Sequence, residues 1–235
     1  KFNEKMKDYI IYKDLDGKYI SLDEYLEAAK DKHENQVFYV TDELQQSQYI
    51  NMFKEQGLNA VILKNPIDQP FISRLEEAMK DKNVKFRRID TDLADVFKET
   101  ASEDDKKVLE EDQTKLTDIF KKALGVEALD VKVEKLKNAD TSAMITLSED
   151  MRRMQDMMKM YGMSQGQMRT DGQTLVLNAN NALVQYVLNN PEGEHVNMFC
   201  QQIYDLALLS HCPLSAEAMT KFVARSNEIL KLLAK

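Results

Sequence analysis

The sequence is poor in residues that break regular structure and in residues that crosslink a chain. Its 235 residues include seven glycines, four prolines, two cysteines and no tryptophan. So few glycines and prolines predict long elements joined by limited irregular structure. Cys200 and Cys212 are too few for a disulfide scaffold and favour reduced thiols in a cytoplasmic protein. The three histidines, His33, His195 and His211, share no metal-ligand spacing, so we expect no metal site.

Several classes of protein are excluded by what else is missing. The net charge is −8, from 32 basic and 40 acidic residues, and nucleic-acid binding needs a basic face. No apolar run approaches the roughly 18 residues of a membrane span, and the start of the chain lacks the apolar segment of a signal peptide. We therefore expect neither a nucleic-acid nor a membrane partner. Because the first residue is not methionine, we also expect the chain to be part of a longer protein.

Strand and helix patterns alternate in the first half of the chain. Short β-forming runs lie at 37–40, 60–63 and 84–89, and helical segments begin near Thr41 and Asp68. This order predicts a small three-layer α/β subdomain at about 36–90, in which a parallel sheet is covered by helices.

The second half of the chain has a different pattern. A charged helix at 99–124 suits a connector between domains. Strands at 131–136 and 143–147 are expected to pair with each other, and a third strand and three helices follow. The fold class is therefore α+β: the small α/β subdomain, a connector helix at 101–125, and an α+β domain at 126–235 that ends in a helical hairpin.

Methionine is concentrated in one segment, since six of the thirteen methionines lie between residues 151 and 163. At about 100° per residue, one helix face carries Met151, Met154, Met158 and Tyr161, with Met157 beside them. A stripe of this kind is typical of a buried helix. However, this face has no branched aliphatic residue, and flexible thioethers suit changing partners. The opposite side is polar: Arg152, Gln155, Asp156 and Lys159. We therefore predict a binding surface, which we call the methionine face.

Two apolar stripes mark the last two helices. Their spacing of three and four residues is close to a coiled-coil seam. Two such hairpins, one from each subunit, would form a four-helix bundle and a symmetric dimer; the alternative is that both stripes pack within one subunit. The predicted dimer residues are Phe199, Ile203, Leu206, Leu209, Phe222, Val223, Ile229, Leu230 and Leu233.

Taken together, these segments resemble the heat shock protein 90 family, of the bacterial HtpG type, from the end of its middle domain to its C-terminus. The resemblance covers nearly the whole chain and depends on the order and spacing of its motifs. These motifs are the segments from Tyr12 to Leu26, Phe38 to Thr41, Asn65 to Asp68, Ser148 to Gln167, and Ala207 to Ser210.

The resemblance implies a cytoplasmic, ATP-driven, homodimeric chaperone of the stress response, of which this chain is the non-ATPase part. Residues 1–100 would be the end of the middle domain, and 126–235 the C-terminal dimerisation domain. ATP and Mg²⁺ would bind in an N-terminal domain outside the chain, so we expect neither enzymatic activity nor a cofactor here. Contacts with unfolded client proteins carry over to Met154, Met158 and Tyr161 of the methionine face, to which the helical periodicity adds Met151 and Met157, and to a helix that contains Phe71. That helix departs from the family at Gln69 and Pro70, where an acidic residue and a tryptophan are typical.

A different class of function is an α/β enzyme at residues 36–90, with the rest of the chain as an oligomerisation module. Ligands of such folds bind beyond the carboxyl ends of the strands, where Asp42 and Asp68 could hold a metal ion. The turns there lack the glycines that let a backbone approach a phosphate, and both aspartates also suit helix capping.

Overall fold

The computed structural model describes residues 9–91, 97–99, 102–160 and 172–234. The described residues form eight α-helices and three small sheets, which confirms the α+β class. They divide into two compact units. The first unit contains 9–91 and 148–160, and the second contains the rest. The domain boundaries drawn from the sequence remain a prediction, because compactness does not show which segments fold independently.

The first unit begins with a hairpin of two short antiparallel strands, β1 (Ile11–Lys13) and β2 (Tyr19–Ser21). The turn between them contains Gly17 at φ +81°, a left-handed conformation that glycine adopts without strain. Helix α1 (Leu22–Ala29) follows directly. Its start is fixed by a capping box in which Ser21 and Glu24 each accept a hydrogen bond from the other's backbone N–H.

The centre of the first unit is built from β3 (Gln36–Val40), α2 (Ser47–Glu55), β4 (Val61–Ile62), α3 (Asp68–Ala78) and β5 (Lys85–Arg88). The three strands form a parallel sheet in the order β4-β3-β5. The side chains of Val37 and Tyr39 belong to the core that contains Ile72 of α3, whereas Phe38 points the other way and meets Phe53 of α2 edge-on, with ring centroids 4.9 Å apart. The predicted parallel sheet with helices on both faces is thereby confirmed.

The second unit is built on helix α4 (Glu103–Leu124), the predicted connector, which ends at Gly125 in a left-handed conformation. Leu116 and Phe120 of α4 are fully buried in the core of the unit. The sheet of this unit contains β6 (Asp130–Glu134), β7 (Ala143–Leu147) and β8 (Gln173–Asn178).

The predicted pairing of β6 with β7 is wrong. The strand order is β6-β8-β7, with β8 parallel to β6 and antiparallel to β7. The alternation of apolar residues specifies which face of a strand is buried, but not which strand lies beside it. Asn178 helps to fix this order, because its side-chain amide donates to the carbonyls of Asn138 and Thr141 in the β6–β7 connection, at 2.9 and 2.8 Å.

Four more helices complete the described residues: α5 (Glu149–Met160), α6 (Ala182–Asn189), α7 (Val196–Leu209) and α8 (Ala216–Leu233). Helix α5 belongs to the first unit, and the other three belong to the second. Helices α7 and α8 form the predicted terminal pair, joined by hydrogen bonds from Arg225 to Gln202 and Asp205. No helix within the described ranges is both long and apolar enough to cross a membrane.

Candidate functional site

Helix α5 carries the methionine face, and its first turn explains where it begins. The Ser148 hydroxyl accepts a hydrogen bond from the Met151 backbone N–H at 3.3 Å, and the Ser148 carbonyl accepts one from the Arg152 N–H at 3.0 Å. A serine at this position satisfies N–H groups that have no partner within the helix.

The four methionines of the face that fall within the described residues are all at least partly accessible. Met157 is 53% exposed, and Met151, Met154 and Met158 are half-buried. None of them belongs to the buried core cluster of the first unit. Tyr161, the remaining predicted member of the face, lies outside the described residues. The methionine face therefore offers adaptable apolar surface on one side of a 12-residue helix.

One residue of the polar side of α5 is buried in an ion pair. Arg152 is only 3% exposed, and its Nη2 lies 2.8 Å from Oδ2 of Asp90, which is fully buried. The same carboxylate pairs with Arg88, with Nε 2.9 Å from Oδ1. The helical periodicity placed Arg152 on the polar side but could not identify its partner, because Asp90 is 62 residues away in the sequence.

A second arginine of α5 makes a two-point contact with Glu76 of helix α3. Nη1 and Nη2 of Arg153 lie 2.8 and 3.0 Å from the two carboxylate oxygens, and Nη2 also donates to the Phe86 carbonyl at 3.1 Å. A bidentate arginine–carboxylate pair fixes geometry as well as adding energy. Helix α5 is thus held on its own unit through arginines.

The second predicted client contact, Phe71 on α3, is half-buried and packs against the core of the first unit. Its neighbour Gln69 donates through Nε2 to the Tyr39 hydroxyl at 3.1 Å. The more accessible apolar side chain in this region is Ile67, which is 71% exposed.

The aspartates of the alternative enzyme hypothesis accept hydrogen bonds from nearby backbone. Oδ1 of Asp42 accepts from the N–H groups of Leu44 and Gln45, both at 3.0 Å, and Oδ2 of Asp68 accepts from the Asn65 N–H at 2.8 Å. Contacts of this kind are typical of turn and helix-start residues. Throughout the residues that the structure describes, no group of three or more His, Cys, Asp or Glu side chains could hold a metal ion.

The residues predicted to form a dimer fall into three groups by burial. Ile203 is 1% exposed and lies in the core of the second unit. Phe199, Leu209, Phe222 and Ile229 are half-buried. The most accessible are Leu206, Val223, Leu230 and Leu233, at 43 to 79% exposure. Helix α8 has no fully buried residue, although apolar residues recur along it at intervals of three and four.

Neither cysteine forms a disulfide. Cys200 is fully buried in the core of the second unit, and burial raises the pKa of its thiol to about 12. Because the thiolate is the reactive form, Cys200 is a core residue without nucleophilic character.

Comparison with known proteins places these features in a family. A family model described as Hsp90 protein matches residues 1–235. The chain is 33% identical over 205 residues to a chaperone protein htpG of Bacteroides fragilis strain YCH46, covering 82% of this chain and 29% of that protein. It is 26% identical over 241 residues to a chaperone protein HtpG of Rickettsia bellii strain RML369-C, covering 97% of this chain and 38% of that protein.

Proposed function

The chain belongs to the Hsp90 protein family, and on that premise we propose that it is the part of a molecular chaperone that binds unfolded client proteins and forms the homodimer. It spans about a third of the length of its matched relatives, between 29 and 38%. The relatives are named chaperones, so the coarse function follows from the family. The roles of particular surfaces are our inference.

The observation that carries the client-binding role is the accessibility of the methionine face while its helix is held by other side chains. Met157 is more than half exposed, and three further methionines are partly accessible beside it. Unbranched thioethers adapt to side chains of many shapes, and promiscuous binders use surfaces of this kind. Phe71 is a weaker candidate, because much of its ring is used in packing.

The double substitution Met154→Lys with Met158→Lys tests this role. We expect at least tenfold weaker binding of a reduced, carboxymethylated protein, measured by fluorescence anisotropy, with an unchanged circular dichroism spectrum. A matched control is Leu44→Lys with Val108→Lys, which removes two apolar side chains that are 90 and 55% exposed and lie on other elements. Equal binding by both double variants would contradict the proposal.

We further propose that α7 and α8 supply the dimer interface. The exposed apolar residues Val223, Leu230 and Leu233 lie on a helix that has no fully buried residue within its own subunit. Clusters of exposed apolar side chains commonly mark interfaces, and two-fold pairing of identical helical hairpins would cover the cluster on both copies.

Sedimentation velocity tests the dimer. We expect the chain to be dimeric at micromolar concentration and Val223→Glu with Leu230→Glu to be monomeric, whereas Leu44→Glu stays dimeric. A wild-type chain that remains monomeric at all concentrations would exclude this interface.

We also propose that the chain acts in the cytoplasm and has no ATPase activity, because the family's nucleotide site would lie outside it. ATP with Mg²⁺ should then leave its melting temperature unchanged. A ligand at about 100 times its Kd adds roughly 2.7 kcal/mol, so a clear upward shift would instead support a nucleotide site in this chain.

A further inference from the structure

Helix α5 occupies an unusual place along the chain. It is inserted between β7 and β8, which pair with each other in the second unit through Ala143 to Leu147 and Gln173 to Leu177. The helix itself belongs to the first unit. Because the strands on either side of α5 belong to the second unit, side-chain contacts within the first unit must hold α5 in place. The arginines of α5 make these contacts.

The first attachment is a buried carboxylate shared by two arginines. Asp90, which follows β5, is fully buried and receives Arg88 from its own strand and Arg152 from α5, with Nη2–Oδ2 distances of 3.0 and 2.8 Å. Burying a carboxylate is costly unless it is paired and hydrogen-bonded. The pairing with Arg152 thus ties the first full turn of α5 to the end of β5.

The second attachment closes an open sheet edge. The order β4-β3-β5 leaves one side of β5 without a neighbouring strand among the described residues. Lys85 and Ile89 donate their N–H groups to Asn35 and Tyr39 on the β3 side, so the backbone groups of Phe86 point to the open side, as alternation in a strand requires. There the Phe86 N–H donates to Glu76 Oε1 at 2.6 Å, and the Phe86 carbonyl accepts from Arg153 at 3.1 Å.

The two arginines lie away from the methionines on the helix. At about 100° per residue, Arg152 and Arg153 are each roughly 130° from the middle of the group formed by Met151, Met154 and Met158. Ion pairs at these positions fix the rotation of α5 about its axis. A free helix of 12 residues would be marginal in water, so these pairs also favour the helical state itself.

We propose that Arg152 and Arg153 are positioning residues of the methionine face: through Asp90 and Glu76 they hold α5 on the first unit by its back, and so present the methionines to clients in a fixed orientation. The docking itself is independent of the proposed function. Its consequence for client binding rests on that function. A surface that is already oriented binds more tightly than one that must be ordered on binding.

Hydrogen exchange of the 235-residue chain tests the docking. The buried pair Arg152–Asp90 is a poor target, because its loss could unfold the unit, so we choose Arg153→Gln and Glu76→Gln. Losing a charge-assisted pair should speed exchange of the α5 amides by roughly 10- to 100-fold, with little change at β3. The α5 amides of the double variant should exchange about as fast as those of either single variant, because both substitutions remove the same ion pair. The matched control is Arg74→Gln, which removes an exposed arginine on α3 whose partner is Glu77.

The outcomes separate the two proposals. Faster α5 exchange together with weaker binding of a reduced, carboxymethylated protein supports the positioning role. Exchange no faster than in Arg74→Gln overturns the role of Arg153 and Glu76 in the docking, and faster exchange with unchanged binding overturns the positioning role. If Met154→Lys with Met158→Lys has no effect on binding, the client-binding function fails, while the exchange result for the docking still stands.

Discussion

Two buried tyrosines of the first unit show how the contribution of a hydroxyl to stability depends on its hydrogen-bond partners. Tyr25 donates to the Asn59 carbonyl at 2.8 Å and accepts from the Phe38 N–H at 3.1 Å. The Tyr12 hydroxyl is buried with no hydrogen-bond partner in the described part of the chain. Tyr25→Phe should therefore cost about 1–3 kcal/mol of unfolding free energy, because it leaves the buried Phe38 N–H and the partly buried Asn59 carbonyl without this partner.

Tyr12→Phe is the matched control for that substitution, since it removes the same atom from a residue of similar burial. It should be neutral or stabilising by up to about 1 kcal/mol. Urea denaturation followed by tyrosine fluorescence measures both variants. Equal destabilisation by the two substitutions would contradict the assigned hydrogen bonds.

The stability of the first unit should depend on pH through His33. Its ring is buried against Phe38, with centroids 4.8 Å apart, and Nδ1 lies 2.9 Å from the Gln36 carbonyl. Burial lowers the pKa of this histidine. Because the folded-state pKa is the lower one, its contribution to stability is complete above the unfolded pKa of about 6.5 and is lost as pH falls through the folded value.

His33→Asn should consequently flatten the loss of stability between pH 7.5 and pH 5. The difference in unfolding free energy between wild type and variant is the quantity to compare at each pH, because it cancels the other titrating groups. In an NMR titration, the midpoint of the His33 ring should lie below the usual histidine value of about 6.5. A His33 midpoint above 6.5 would contradict burial as the dominant cause.

At the scale of elements, two helix caps of the same kind should differ in importance. Ser102 caps α4, and Ser215 caps α8, each accepting an N–H three residues on. Helix α4 contributes Leu116 and Phe120 to a core, whereas α8 buries no residue. Ser102→Ala should cost about 1 kcal/mol of global stability. Ser215→Ala should mainly increase fraying of α8 in the monomer, seen as local hydrogen exchange.

Elements were predictable from the sequence where local chemistry determines them. Ser21 with Glu24, Gly125 and Ser215 mark helix ends that the structure has, and the apolar run at 37–40 gave a strand of the parallel sheet. The partners of those elements were not predictable. The position of strand β8 between β6 and β7 and the contact of Arg152 with Asp90 could not be predicted, because both join residues far apart in the sequence.

At the scale of the whole molecule, the sequence placed the methionine face and the terminal apolar stripes on separate helices. The structure adds that α5 and helices α6 to α8 belong to different compact units. Client binding and dimerisation, as proposed, should therefore be separable by a change that removes α5 and leaves the second unit intact.

The register of β7 and β8 offers such a change. Leu147 and Gln173 are direct partners in an antiparallel ladder, so an Asn-Gly pair in place of residues 148–172 would close a two-residue hairpin with the favoured twist. We expect the shortened chain to remain dimeric by sedimentation velocity, because α7 and α8 are untouched, and to lose binding of a reduced, carboxymethylated protein. Retained binding would place the client surface elsewhere, and a monomeric yet folded product would show that the removed residues 148–172 contribute to the dimer.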